Sequence, residues 1–403
     1  MKIGFLGLGK LGLPCALACE KYGGYEMYGY DASPVVMDNI RRRHLPYMEE
    51  GAAELLAETK LTLCDDVAQL AASVDLLFVA VQTPHEPDYE GTTRRPADNR
   101  DFDYRYLRAA VEEVAAAATR PLVVVVISTV LPGTMRREIL PLATPNLRFL
   151  YNPFFIAMGT TISDFMNPEF VLIGADRAED ADVLKTFYRG LHDRPFAQVS
   201  IESAELAKVS YNTFIGLKIT FANTLMEICE KTDADCDEVV DVLSLATGRL
   251  LSPRYMRAGM GDGGGCHPRD NIAMSLLAER LRLSYDIFST TIEAREKQTE
   301  WLADLVEAEV KRTGLPAVLC GISYKPETNL TVGSPALLLE AILIERGITP
   351  RRYDPVIGVG AIEGPAVYLI STNHAAFATT AWPEGSVVLD PWSRIGRKPR
   401  RDT

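Results

Sequence analysis

The stretch "KIGFLGLGKLGLPCALACEKY", residues 2–22, contains the pattern that decides the fold. A short apolar run is followed by a glycine-rich turn and then by a helical pattern rich in alanine and leucine. Later apolar runs end near Asp31, Thr83 and Thr129, and helical patterns lie between them. Strands that are apolar throughout and alternate with helices indicate a parallel sheet covered on both faces. The sequence therefore predicts an α/β domain of the Rossmann type at the N-terminus.

The glycines of "GLGKLG" have the G-x-G-x-x-G spacing of a dinucleotide-binding turn. Gly7 makes the tight turn, Gly9 lets the backbone approach a pyrophosphate, and Gly12 permits close packing of the helix. The anion would lie at the helix N-terminus, where unpaired N–H groups and the helix dipole favour negative charge. Lys10 and Leu11, within the same turn, are assigned to the cofactor site with these glycines.

Asp31 ends the second strand and is placed to accept hydrogen bonds from the adenosine ribose. A carboxylate at this point repels a 2′-phosphate, so NAD is predicted rather than NADP. Thr83 and Thr129 follow later strands and are expected to line the cleft at the carboxyl edge of the sheet. The alternative is a Rossmann-like domain that binds no cofactor; the strand, helix and acid together favour NAD binding.

The composition excludes several kinds of partner. The chain has 403 residues and a net charge of −12, which argues against nucleic acid and anionic membranes but permits a small anionic substrate in a basic pocket. Seven scattered cysteines without zinc spacing favour a reduced, cytoplasmic protein without disulfides or a metal site. No apolar run reaches membrane-spanning length, and the N-terminus lacks the pattern of a signal peptide.

The pattern changes near residue 200. Residues 200–232 are periodic and contain one glycine, which predicts a single long helix capped by Ser200 or Ser203. Helical patterns continue to about residue 310. The stretches "PAVLCGISYK", "ITPRRYDPV", "AVYLIST" and "SVVLDPW" then predict the strands of a second α/β unit.

The stretch "GDGGGCHPRDN", residues 261–271, raises the question of what Cys266 does. A metal site is disfavoured because only His267 is near, and a structural cysteine normally lies in an apolar run. Glycines give a nucleophile room, while Arg269 and a neighbouring helix N-terminus are suited to stabilising a thiolate. A cysteine nucleophile used with a nicotinamide cofactor suggests aldehyde oxidation through a thiohemiacetal and a thioester.

Taken together, the motifs resemble those of the UDP-glucose/GDP-mannose dehydrogenase family. They run in order from "GFLGLGKLGLP" through "STVLPGT", "NPFFIAMGTTISDFMNPEFVLIG", "AELAKVSYNTF" and "GDGGGCHPRDN" to "GISYKPETNLTVGSP". The resemblance implies an NAD-binding domain at 1–199, a helical dimerisation domain carrying the cysteine loop at 200–310, and a Rossmann-like nucleotide-sugar-binding domain at 311–403. It also implies a homodimer.

The reaction implied by the resemblance is the four-electron oxidation of a primary alcohol of a nucleotide sugar to a carboxylate, with two NAD. Cys266 would form the thioester, while Lys208 and Asn212, four residues apart on one helix face, would stabilise the developing oxyanion. Asp270 would act in proton transfer with a water held by Thr129. The remaining assignments are Arg269 to the cofactor, and Phe155, Ile156, Lys208, Asn212, Arg257, Gly263, Tyr324 and Lys325 to the substrate.

The sequence departs from the family pattern at several of its functional positions. Phe154 and Met158 stand where the family has glutamates, His267 replaces an apolar or aromatic residue, and Arg269 and Val332 replace a lysine and an arginine. Three outcomes stay open. His267 or Asp270 activates water and the product is an acid, or the product is an aldehyde, or the chain binds nucleotide sugars without catalysis. His267 itself is either that base or a loop residue packed on the substrate.

Overall fold

The computed structural model describes residues 1–84, 86, 89, 96–252, 259–260, 266–326, 328–392 and 395. The chain divides into two compact units, Met1–Gly216 and Leu217–Thr403, which we call the first and second units. In the described part of the chain, no helix combines the length and apolarity needed to cross a membrane. The boundaries at 199/200 and 310/311 stay predictions.

The first unit is built on an eight-stranded sheet with the order β3-β2-β1-β4-β5-β6-β7-β8. The strands are β1 Lys2–Leu6, β2 Glu26–Tyr30, β3 Thr62–Leu63, β4 Leu76–Val79, β5 Leu122–Val126, β6 Leu147–Tyr151, β7 Val171–Gly174 and β8 Phe196–Val199. The order of the first six is that of a Rossmann sheet, and these six pair in parallel. The predicted N-terminal Rossmann domain is confirmed.

Alternating side chains divide the apolar core of this unit between the two faces of the sheet. In β4, Leu76 and Phe78 pack on one face, while Leu77 and Val79 pack on the other. Helices cover both faces: α1 Gly12–Gly23, α2 Pro34–Arg41, α3 Ala52–Glu58, α4 Val67–Ser73, α5 Arg105–Ala117, α6 Thr161–Met166 and α7 Asp182–Arg189. Because both faces are buried, the strands read as continuous apolar runs.

One feature of the sheet differs from the prediction of a parallel sheet. β7 runs antiparallel to β6, and β8 is parallel to β7. The connection from β6 to β7 contains α6, and the antiparallel pairing joins Tyr151 and Gly174, the last residues of the two strands.

The long helix predicted after residue 200 is confirmed as α8, Ile201–Thr232. Ser200 caps it, because its Oγ accepts a hydrogen bond from the N–H of Ser203 at 3.3 Å. The first turn of α8 packs closely on the sheet: a Cβ added to Gly174 would lie 2.8 Å from the Cβ of Ala204. The first turn of α8 is therefore packed against the carboxyl end of β7.

The second unit has a four-stranded parallel sheet with the order β10-β9-β11-β12. Its strands are β9 Ala317–Cys320, β10 Arg351–Tyr353, β11 Val367–Ile370 and β12 Val387–Leu389. The helices that follow α8 are α9 Cys236–Ser244, α10 Cys266–Leu281, α11 Ile287–Thr313 and α12 Pro335–Glu345. The predicted second α/β unit is confirmed.

The two units share a local geometry where the first strand of each Rossmann-type motif ends. Gly7 has φ +96° and donates its N–H to the carbonyl of Tyr30, while Gly321 has φ +91° and donates to the carbonyl of Tyr353.

In each unit an aspartate follows that tyrosine and accepts a hydrogen bond from the N–H of the residue after the glycine. The Leu8 N–H lies 2.7 Å from Asp31 Oδ2, and the Ile322 N–H lies 2.8 Å from Asp354 Oδ2.

Asp354 is buried and holds the centre of the second unit together. Its oxygens accept hydrogen bonds from four backbone N–H groups, those of Ile322, Ser323, Val356 and Ile357. His374 Nε2, also buried, lies 3.4 Å from Oδ2. Burial opposes ionisation of Asp354, but the backbone hydrogen bonds and the adjacent His374 outweigh it and lower the pKa of this carboxyl group.

We expect Asp354→Asn to destabilise the protein by about 3 kcal/mol at pH 7, because an amide NH₂ would face donor groups. A lowered pKa in the folded state means that this stabilisation is present above the unfolded pKa of about 3.9 and is lost as the pH falls through the folded value. Denaturant unfolding of the wild type and of Asp354→Asn measures the difference between their free energies of unfolding. We expect this difference to become smaller below about pH 4. The exposed Glu384→Gln is the matched control; equal destabilisation by both variants would contradict the assignment.

Candidate active site

The glycine turn after β1 has the backbone geometry that a bound pyrophosphate requires. A Cβ on Gly7 would lie 2.7 Å from the carbonyl oxygen of Ala80, and a Cβ on Gly12 only 2.0 Å from the carbonyl oxygen of Gly7. A Cβ on Gly9 would meet nothing within 4 Å. Gly7 and Gly12 therefore shape the turn, while Gly9 leaves its surface open to a ligand.

The start of α1 offers backbone N–H groups to an anion. Among the described residues, no side chain caps this helix at Leu11, and its first turn contains no acidic residue. Lys10, next to the helix start, is exposed. The helix dipole and the basic side chain both favour negative charge here, so the turn fits the pyrophosphate of NAD.

Asp31 is half-buried at the carboxyl end of β2 and is anchored by the backbone. Its Oδ2 accepts from the Leu8 N–H at 2.7 Å, and its Oδ1 accepts from the Ser33 N–H at 2.8 Å. A carboxylate has about four acceptor sites, so two stay available for ribose hydroxyls. The anchored carboxylate fits NAD, and its charge disfavours a 2′-phosphate.

The ends of β4 and β5 are joined by side chains at the same edge of the sheet. Thr83 Oγ1 donates to the carbonyl of Thr129 at 2.7 Å, and Ser128 Oγ donates to the carbonyl of Val81 at 2.5 Å. The structure thus brings Thr83 and Thr129 together, as two neighbouring parallel strands would place them.

The inward position predicted for Lys208 is confirmed. Lys208 is 7% exposed, and its Nζ lies 4.9 Å from the ring centroid of Phe155. Burial lowers the pKa of its ammonium group, while the aromatic face offsets part of the desolvation. Asn212, one turn further along α8, is exposed.

Phe155 lies at the centre of an aromatic cluster beside Lys208. Its ring centroid is 4.6 Å from that of Tyr211 and 5.0 Å from that of Phe170. Ile156, the next residue, packs against the apolar core of the first unit.

The two positions that lack the family glutamates differ in their surroundings. The ring of Phe154 packs 5.4 Å from that of Phe165 and 6.4 Å from that of Phe78, so it belongs to the apolar core. Met158 is 61% exposed. Neither residue supplies an acid or a base.

The helix α10 begins at Cys266. The side chains of His267, Arg269 and Asp270 are exposed at the start of this helix, and Arg269 Nε lies 3.5 Å from Asp270 Oδ1. The Asn271 amide donates to the carbonyl of His267 at 2.9 Å. Two predicted substrate residues, Arg257 and Gly263, lie outside the described residues.

Tyr324 and Lys325 lie in the loop after β9. The Lys325 ammonium lies 5.3 Å from the ring centroid of Tyr324, and Ser323 Oγ donates to the carbonyl of Lys325 at 3.0 Å. Val332, at the position of the family arginine, is 83% exposed.

The described site residues fall into two groups, each within one unit. The first unit contains Gly7, Gly9, Lys10, Leu11, Gly12, Asp31, Thr83, Thr129, Phe155, Ile156, Lys208 and Asn212. The second unit contains Cys266, His267, Arg269, Asp270, Tyr324 and Lys325.

Sequence reasoning missed two buried carboxylates that hold loops of the first unit. Glu49 accepts hydrogen bonds from the N–H groups of Gly159 and Thr161 at 2.9 and 2.6 Å. Glu205 accepts from those of Gly133 and Met135 at 2.6 and 2.7 Å. Neither carboxylate has a signal in the sequence, because its partners are backbone N–H groups of distant residues.

A Rossmann sheet with a glycine turn and an anchored acid at the next strand defines an NAD-binding α/β protein. Residues 1–192 match the NAD-binding domain of the UDP-glucose/GDP-mannose dehydrogenase family, and residues 202–297 match its central domain. The chain therefore belongs to this family and is an NAD-dependent dehydrogenase.

Similar proteins cover nearly the whole chain. GDP-mannose 6-dehydrogenase of Pseudomonas putida is 30% identical, with 90% of this chain and 83% of that protein covered. UDP-glucose 6-dehydrogenase of Bacillus subtilis is 27% identical, with 98% and 84% covered. The crystal structure of a GDP-mannose dehydrogenase ternary complex from Pseudomonas aeruginosa is similar with a TM-score of 0.86 and 26% identity, with 99% and 98% covered.

Proposed function

We propose that this protein oxidises the primary alcohol of a nucleotide sugar to a carboxylate. The observation that carries the proposal is the buried ammonium of Lys208 on the helix that follows the NAD-binding domain. Burying a lysine beside an aromatic ring costs free energy, which a developing negative charge in the reaction would offset. Asn212, one turn along the helix, would donate a second hydrogen bond to the same oxygen.

The balanced reaction consumes one alcohol, two NAD⁺ and one water, and yields one carboxylate, two NADH and three protons. When bound, NAD would supply the hydride acceptor for each oxidation step. Between them, the Cys266 thiolate adds to the aldehyde carbon to give a thiohemiacetal, and loss of the second hydride leaves a thioester. Water then cleaves the C–S bond and releases the acid.

Two features support Cys266 as the nucleophile. It is the first residue of α10, and the N–H groups at a helix N-terminus stabilise a thiolate. Arg269, in the same first turn, adds positive charge, although its pairing with Asp270 offsets part of that effect.

The water that cleaves the thioester needs a base, and neither Phe154 nor Met158 supplies one. We assign the role to Asp270 with a water held by Thr129, or to His267, whose neutral imidazole can accept a proton. His267 and Asp270 are both exposed at the start of α10, where a substrate can reach them.

The substrate we propose is a UDP- or GDP-linked sugar, the class named for the relatives. Arg257 and Lys325 would bind the diphosphate. Because the net charge of the chain is −12, an anionic substrate needs such local positive charge at its binding site. Tyr324, Phe155 and Ile156 would contact the sugar or base, and Gly263 would leave room in the loop.

We propose that the protein acts as a cytoplasmic homodimer. Large apolar side chains surround the middle of α8 and are between 41 and 56% exposed: Phe214, Ile215, Leu217, Ile219 and Phe221. A helix that is apolar on all sides is normally buried, so a second copy of the chain is the proposed cover. The free cysteines among the described residues fit a reducing compartment.

The decisive experiment incubates the protein with NAD and a panel of UDP-sugars and GDP-mannose, and reads NADH by absorbance and product by mass. We expect two NADH per sugar and a carboxylate. One NADH per sugar with an aldehyde product would contradict the hydrolytic step. Substrate binding by calorimetry without NADH formation would contradict catalysis altogether.

The packing of Phe154 favours a second candidate function, oxidation to the aldehyde alone. At the position of the family glutamate, the ring of Phe154 packs against the apolar core. The carboxylate that the family has at this position is therefore missing. A non-catalytic nucleotide-sugar-binding protein is the third alternative, and the buried Lys208 argues against it.

A further inference from the structure

A buried carboxylate on α8, that of Glu205, holds the segment that follows Thr129. Glu205 is fully buried, and its two oxygens accept separate hydrogen bonds: Oε2 from the Gly133 N–H at 2.6 Å and Oε1 from the Met135 N–H at 2.7 Å. Gly133 has φ +87°, a conformation that glycine adopts without strain. Both oxygens are therefore committed to fixing one turn of this loop.

Glu205 also shares a helix face with the proposed oxyanion donors. Glu205, Lys208 and Asn212 are spaced i, i+3 and i+7 along α8, so they lie on one face. The loop that Glu205 holds begins at Thr129, whose carbonyl is bonded by Thr83. One carboxylate thus connects the helix turn that carries Lys208 with the loop that carries Thr129.

The attachment of this segment to α8 does not depend on Glu205 alone. Burying a carboxylate costs more than burying an apolar side chain of the same volume, even when its oxygens are bonded. The segment has another attachment that serves stability, since Arg136 Nη2 lies 2.8 Å from Glu202 Oε1 one turn earlier on α8. That pair is partly exposed and is the type of contact that joins surface elements at low cost.

We propose that Glu205 is a positioning residue for the dehydrogenase reaction. It fixes the distance between Lys208 on α8 and Thr129 on the loop, so that both groups meet the substrate in one geometry. The inference rests on the proposed function, because it assigns Lys208 and Thr129 to the reacting oxygen and water. Misplacing such groups by about 1 Å costs on the order of 100-fold in rate.

The test compares Glu205→Gln with Glu205→Asp and the control Glu202→Gln. Glutamine keeps the volume, but its NH₂ group would face one of the two N–H donors, so one bond is lost and the loop shifts. We expect kcat per folded enzyme to fall by roughly 10- to 100-fold in Glu205→Gln, with KM for NAD and sugar within about twofold. Glu205→Asp keeps the charge and is expected to retain more activity than the glutamine variant.

Hydrogen exchange of peptides covering 129–139, measured without substrate, gives an independent readout. We expect faster exchange around Gly133 and Met135 in Glu205→Gln. In Glu202→Gln we expect unchanged exchange there, because Arg136 keeps its two hydrogen bonds to Asp176. Unchanged exchange in Glu205→Gln would overturn the contact. Faster exchange with an unchanged kcat per folded enzyme would show a structural role only and overturn the proposal.

The same experiment separates this inference from the proposed function. A wild-type protein that oxidises no sugar in the panel contradicts the proposed function and, with it, the positioning role of Glu205. A wild-type protein that turns over normally, alongside an equally active Glu205→Gln, contradicts the positioning role alone.

Discussion

Cys266→Ser is expected to abolish carboxylate formation, with a loss of at least about 10³-fold in kcat for the acid. A serine hydroxyl is not ionised near neutral pH and has no base assigned to it, so it would not trap the aldehyde as a covalent adduct. The first oxidation does not need the thiol. A single turnover in the variant is therefore expected to release one NADH and an aldehyde.

Product mass and NADH yield distinguish the possible results. Cys236→Ser is the matched control, because Cys236 is half-buried at the start of α9 and carries no assigned role. Full carboxylate turnover by Cys266→Ser would remove the thioester from the mechanism. Equal losses in both cysteine variants would point to a general effect of cysteine replacement.

Gly12→Val is expected to eliminate NAD binding. Its Cβ would lie 2.0 Å from the carbonyl oxygen of Gly7, and backbone at that distance has to move. Moving it displaces both the turn and the start of α1, which together would hold the pyrophosphate. We expect the affinity for NAD to fall by more than about 100-fold and the free energy of unfolding to fall by a few kcal/mol.

Two other glycines separate the effects on binding and on folding. Gly9→Ala adds a Cβ that meets nothing within 4 Å, so its fold is expected to be intact and its affinity for NAD lower. Gly216→Ala, within α8 and also without a contact, is expected to change neither NAD affinity nor the fold. Calorimetric titration with NAD and thermal unfolding measure the series; normal NAD affinity in Gly12→Val would contradict the assignment of the turn.

Most of the sheet was predictable because its central strands are buried on both faces. β4 and β5 read as uninterrupted apolar runs for that reason. β3 has only two residues and β8 has four partly exposed ones, so neither edge strand produces such a run. The reversal at β7 was not predictable, because an apolar run such as "EFVLIGA" carries no information on the direction of a strand.

The residues of the candidate site were predictable where their role depends on neighbours close in the sequence. The glycine turn and Asp31 belong to one βαβ unit, and Lys208 lies among small apolar residues on a helix. Glu205 was not predictable because its partners are backbone N–H groups about 70 positions earlier, which leave no mark in residue type. For Asp354 a signal existed, since "GYDAS" and "RRYDPV" share a Tyr-Asp pair at a strand end.

The two aspartates at the ends of β2 and β10, Asp31 and Asp354, indicate how many NAD molecules the chain is expected to bind. Asp31 accepts two backbone hydrogen bonds and is half-buried, so its remaining lone pairs are open to a ribose. Asp354 accepts four and also contacts His374 in a fully buried setting, so its lone pairs are saturated. Of these two carboxylates, only Asp31 keeps lone pairs available for a ribose, so we expect the protein to bind one NAD per chain.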